Sequence, residues 1–235
     1  MSEYRQMSTA QAKTEVLNAF MRGVYQWMAA GLGLTAAAAY MTSTSQAMME
    51  FVFGNTMVLM LLIVAELGLV IAVSAGIRRM SAGTATGLFL LYSGLNGVTL
   101  AAILTVYTAA SIFSTFVVCS GMFIAMSVYG MTTKKDLTSW GSFLFMGLIG
   151  IILASVVNIF LRSPMLDFAV SGIGVLVFVG LTAYDTQKLR VMGETAPSDD
   201  STAVRRGTIL GALTLYLDFI NLFLMLLRFM GQMRE

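Results

Sequence analysis

Residues 215–228 read LYLDFINLFLMLLR, and one carboxylate, Asp218, stands inside this apolar run. A carboxylate in a membrane-spanning helix is expensive, so it is rarely there without a task and marks an ion or proton path. Just upstream, Thr182-Ala183-Tyr184-Asp185-Thr186-Gln187-Lys188-Leu189 places a second aspartate, Asp185, near the end of the preceding apolar stretch. The chain contains no histidine.

Outward from these segments the composition is that of a bilayer protein. Hydrophobic residues make up 57% of the 235 and charged residues 11%, against about 25% charged in soluble domains. Seven apolar stretches lie at about 22–41, 55–77, 84–106, 110–130, 139–161, 167–188 and 207–229. Each is near the roughly 20 residues a helix needs to cross the hydrocarbon. The alternation of an outer-membrane barrel is absent, so the expected fold is an all-α integral membrane protein of seven transmembrane helices. Residues 1–19 are polar, without a cleavable signal pattern, and read as a cytoplasmic leader able to form an amphipathic surface helix; 20–235 form the membrane domain. The connection 190–206, with Pro197-Ser198-Asp199-Asp200-Ser201, reads as a polar, mobile loop.

Basic residues orient the chain. With the N-terminus inside, Arg5, Lys13, Arg22, Arg78, Arg79, Lys134, Lys135, Lys188, Arg190, Arg205 and Arg206 are cytoplasmic, and only Arg162, Arg228 and Arg234 lie outside. That 11-to-3 bias predicts N-terminus in, C-terminus out and an odd number of spans.

Inside the spans, charge is confined to few places. Glu66 lies midway along the second, with Arg78 at its inner end; Asp185 and Asp218 lie in the sixth and seventh. Ser171, Gly174, Phe178, Thr182 and Asp185 recur at three-and-four spacing and share a helix face, as do Thr214, Asp218 and Asn221. These stripes must face protein or water. Each carboxylate has a plainer reading, a hydrogen bond to a neighbouring Ser, Thr or Tyr that holds the helices together, and Glu66 has no polar stripe of its own. Asn96 and Asn158 read as interhelical hydrogen-bonders, and Lys134, Lys135 and Asp136 as an ordinary turn. Gly31, Gly33, Gly68, Gly94, Gly97, Gly147, Gly150, Gly172, Gly174 and Gly180 read as close-packing positions. The methionines read as adaptable filler. The lone Cys119 cannot form an internal disulfide, and zinc or haem sites lack their usual ligands. No cofactor and no nucleic-acid partner is expected.

The segments AYDTQKL and LYLDFINLFLMLLR resemble the hallmark motifs of the Bax inhibitor-1 family, the transmembrane Bax inhibitor motif proteins. The likeness extends to the length, the seven spans, and Glu66 followed by Arg78 and Arg79, and the chain looks like a bacterial member. The resemblance implies a bundle with the last helix at its centre in the inner membrane, and a pH-sensitive calcium leak. Asp185 and Asp218 match its sensor and gate and would be the calcium ligands, Glu66 matches an acidic residue of the ion path, and Arg78 or the adjacent Arg79 matches a basic latch. Calcium or other cations and membrane lipid are then the partners, with no enzymatic activity. Elementary chemistry agrees, because two carboxylates in a low-dielectric site cannot both ionise cheaply and share a proton, and carboxylate oxygens suit a hard cation.

Other classes fit less well. A proton-coupled transporter is better signalled by broken helices and repeated halves. An intramembrane aspartyl protease would carry Tyr-Asp and Gly-x-Gly-Asp; Tyr184-Asp185 fits the first, but Leu217-Asp218 lacks the glycines. A retinal protein needs a mid-span lysine. A non-transporting regulator that binds a membrane-bound protease or another membrane protein would depend on exposed cytoplasmic segments such as 1–19.

Overall fold

A computed structural model describes residues 2–196 and 200–234, with side chains from Lys13 onward; Pro197, Ser198 and Asp199 of the expected loop lie outside the described residues. Eight helices are described: α1 Ser2–Thr44, α2 Gln46–Phe53, α3 Thr56–Gly76, α4 Ala82–Val106, α5 Ala109–Thr132, α6 Thr138–Leu161, α7 Pro164–Glu194 and α8 Ser201–Met230. Six of them, α3 to α8, are long and apolar enough to cross a membrane. They coincide with the second to seventh expected stretches. The first expected stretch lies within α1, where Arg22, Tyr25 and Gln26 dilute its apolarity. Residues 2–19 are helical and continuous with it. The short α2 had no signal in the apolar pattern.

Local chemistry sets the helix ends. Ser45, Asn55 and Thr108 each accept a backbone N–H of the helix they precede, capping α2, α3 and α5. Helix α6 ends at Arg162, whose left-handed backbone (φ 49°) turns the chain. Asn158 Oδ1 accepts Ser163 N there, at 2.9 Å. Asn158 therefore secures a turn rather than bridging helices as expected. Pro164 opens α7, where its missing N–H and fixed φ cost nothing.

The chain divides into two compact units. The first comprises Met1–Thr105 and Leu189–Tyr216. In it α1 buries Phe20, Met21, Val24, Met28, Thr35, Ala39 and Thr42, a helical stripe, and the first part of α8 buries Ile209, Ala212, Leu213, Leu215 and Tyr216. Helix α3 leaves Met57, Leu61, Val64, Leu67 and Ile71 exposed, an apolar face suited to lipid. The second unit comprises Val106–Lys188 and Leu217–Glu235. There α5 buries Ser111, Thr115, Cys119, Phe123, Ser127 and Gly130 along one face. It meets α8 through Cys119 Sγ, which donates to Phe219 O, and through the Phe116, Phe123 and Phe219 rings. Of the six long apolar helices α8 is the most enclosed, with 67% of its apolar window buried against 6% for α3.

Candidate functional site: a carboxylate pair and a buried polar chain

Both aspartates belong to the second unit. Asp218 is 5% exposed and its Oδ2 has no hydrogen-bond partner; Asp185 is half-buried. Helices α7 and α8 run antiparallel there. Asp167 pairs with Arg228 at 3.9 Å, the rings of Phe168 and Phe229 stack at 4.8 Å, and Gly174 lies against Met225. Continuing that register puts Asp185 about one turn, roughly 6 Å, beyond the level of Asp218. The Asp185 carboxylate acts electrostatically on Asp218, and Lys188, one turn along α7, is the cation that acts on Asp185. The structure thus brings the pair into electrostatic reach, while Oδ2 of Asp218 makes no short shared-proton contact. The stripe expected on α7 faces inward: Ser171, Phe178 and Thr182 are all buried.

The residues next to Asp185 fix this part of α7 against its neighbours. A Cβ added at Gly141 would sit 2.5 Å from the Tyr184 ring, so α6 and α7 approach closely at this level. Gln187 accepts Leu137 N and donates to Lys135 O, each at 2.8 Å, clamping the α5–α6 turn to α7. In the same turn Asp136 accepts both the hydroxyl (2.6 Å) and the N–H (2.9 Å) of Thr138, and those bonds hold its carboxyl below the ordinary carboxylate range.

Glu66 and Arg78 belong to the first unit. Contrary to its bare stripe on α3, Glu66 has polar partners, supplied by α4: Thr99 Oγ1 donates to Oε1 at 2.8 Å and Asn96 Nδ2 to Oε2 at 3.4 Å. Asn96 Oδ1 accepts from Tyr216 Oη at 3.1 Å, and Tyr216 Oη meets Thr35 Oγ1 at 2.6 Å. One hydrogen-bonded chain therefore joins α3, α4, α8 and α1, with Asn96 bridging helices as expected. Thr35, Thr99 and Tyr216 were missed, because nothing in one helix's spacing shows what another helix brings to it. Arg78 has an exposed side chain, while its backbone carbonyl accepts Arg206 Nη1 at 3.0 Å. Arg206 also donates to Met80 O at 3.4 Å, so it fixes the α3–α4 turn.

Among the described residues no group of three or more His, Cys, Asp or Glu gathers as a metal site. Apart from Asp167, which pairs with Arg228 at the start of α7, the acidic side chains described in the helices of the second unit are Asp185 and Asp218, so further oxygens near the pair would come from neutral groups.

Known proteins place the chain among relatives. It is 59% identical over 218 residues to the inner membrane protein YbhL of Escherichia coli K12, covering 93% of each chain. It is 49% identical over 227 residues to an uncharacterized protein of Borreliella burgdorferi, covering 96% of this chain and 97% of that one. An uncharacterized membrane protein of Streptococcus pyogenes serotype M6 is 35% identical over 220 residues, 92% of this chain and 93% of its own. The family model described as inhibitor of apoptosis-promoting Bax1 matches residues 17–235, a span that takes in the buried carboxylates and the polar chain alike. A membrane protein whose two motif aspartates lie on consecutive helices, and whose sequence matches that model from α1 to α8, belongs to the Bax inhibitor-1 family.

Proposed function

We propose that this protein is a pH-sensitive cation leak of the bacterial inner membrane, with calcium as the permeant ion and Asp185 and Asp218 as sensor and gate. The observation that carries the reading is Asp218: a carboxylate enclosed in the most buried helix, one oxygen without a protein partner, with Asp185 as its electrostatic neighbour. In this reading the chain has seven spans with α8 innermost, the first span being the part of α1 around 22–41, with the N-terminus inside and the C-terminus outside. The inner-membrane assignment is supported by the name of the E. coli relative.

The mechanism follows from charge. In this reading Arg78, on the cytoplasmic side, is the latch that keeps the path shut while the pair is ionised at alkaline pH. Adding protons cancels that charge, releases the latch and opens the path. The exposed Arg78 side chain is free to move, since its backbone, not its guanidinium, is what Arg206 grips. Glu66, at mid-span and held by Asn96 and Thr99, serves cation passage rather than the pH midpoint.

Calcium flux into liposomes holding the purified protein tests the reading. Flux should rise as pH falls, and Glu66→Gln should lower flux without moving the pH midpoint. Protein-bearing liposomes no leakier than empty ones at any pH would contradict it and favour a non-transporting regulator.

A further inference from the structure

Calcium takes roughly six to eight oxygen ligands, and two carboxylates supply at most four. Among the described residues the second unit holds three further buried hydroxyls without a hydrogen-bond partner, Thr115 Oγ1, Ser127 Oγ and Thr186 Oγ1, of which the last two concern the aspartates. Ser127 is 6% exposed and Thr186 is fully buried. Neither makes the bond that a helical hydroxyl ordinarily makes to the carbonyl four residues back. Their neighbours do make it: Thr182 donates to Phe178 O, Ser171 to Asp167 O and Thr132 to Val128 O, at 2.7–2.8 Å.

Their placement is bracketed by contacts on either side. On the buried face of α5, Phe123 packs its ring on Phe219, next in sequence to Asp218. Two turns along the same face, Gly130 lies against Ala183 O and Thr186, which flank Asp185 on α7. Ser127 stands between Phe123 and Gly130, hence between the levels of the two aspartates. Thr186 is the residue after Asp185. A buried hydroxyl left without a partner is costly, and two such hydroxyls, from α5 and α7, share the second unit with another unpartnered oxygen, Asp218 Oδ2.

We propose that the hydroxyls of Ser127 and Thr186 are neutral ligands that complete the Asp185–Asp218 cation site. The inference rests on the leak reading and names the ligands that reading lacked. The four side chains give a hard, oxygen-only site, in which the hydroxyls add coordination without adding charge.

The test is calcium-45 binding to the purified full chain, with calcium flux in liposomes alongside. Ser127→Ala and Thr186→Val should each weaken calcium binding about tenfold, as expected for losing one polar group around a metal. Thr186→Ser keeps the hydroxyl and should bind as wild type, which separates ligation from folding. Thr115→Val removes another unpartnered buried hydroxyl, about 18 Å along α5 from Ser127, and should leave binding unchanged. Wild-type binding by Ser127→Ala and Thr186→Val, with binding lost in Asp218→Asn, would overturn this inference and leave the leak reading standing. Equal loss in Thr115→Val would overturn it as a packing effect. Undiminished binding and flux in Asp218→Asn as well would remove both.

Discussion

Tyr216 shows what a single residue does here that its own segment does not reveal. Its ring meets Phe89 and Tyr92 edge-on, at 5.8 and 5.6 Å, while its hydroxyl joins Thr35 to Asn96 and, through Asn96, to Glu66. Tyr216→Phe keeps the ring packing but leaves Asn96 Oδ1 without that donor. Thermal unfolding in detergent should show a loss of about 1 kcal/mol, the worth of such a bond; an unchanged midpoint would show the chain to be energetically idle. Asp136 gives a residue-scale pH effect outside the membrane. A carboxyl held below its ordinary range contributes stability above that range and loses it as pH falls through the lowered value. Exchange protection of the Thr138 amide should therefore fall in strong acid. In Asp136→Asn, whose amide oxygen accepts at every pH, that step should vanish. Asp185 and Asp218 were legible in the sequence because charge in an apolar run stands out by itself. Ser127, Thr186, Thr99 and Thr35 were not, because a hydroxyl is common in such helices and gains meaning only from what faces it.

At the scale of elements, the apolar pattern located α3 to α6 within two residues but fell six short at the end of α7 and the start of α8, where the helices run on into the polar connection. It did not show α2, too short to cross, nor that α1 runs unbroken from the leader. Glycines were legible as a class but not one by one. Gly97 and Gly174 do admit close neighbours, Thr35 with Ala38 and Met225 respectively, whereas Gly33, Gly68, Gly94 and Gly150 have nothing within 4 Å. Gly130 was not singled out, yet it lets α5 rest on the α7 backbone at Ala183. Gly130→Ala should therefore destabilise by about 1–3 kcal/mol through overpacking. Gly150→Ala should be neutral or slightly stabilising, since alanine is the better helix former. Paired thermal melts check this, and equal effects at the two positions would show that the α5–α7 contact is loose.

For the whole molecule, the sequence supplied the membrane, the family and the motif aspartates, while the division into two compact units had no counterpart in composition, because both units are equally apolar. Orientation rests on the 11-to-3 distribution of basic residues. A reporter active only outside the cytoplasm, fused after Glu235, should be active; activity of a cytoplasm-only reporter there would contradict the odd number of spans. The central claim, that the aspartate pair senses pH and gates a cation path, is tested most directly by the pH profile of calcium flux in liposomes. Wild type, Asp185→Asn, Asp218→Asn and Arg78→Ala should be compared in matched vesicles. The account predicts wild-type flux that rises as pH falls, flattened profiles in both asparagine variants, and a path already open at alkaline pH in Arg78→Ala. A wild-type pH profile in both asparagine variants would contradict it.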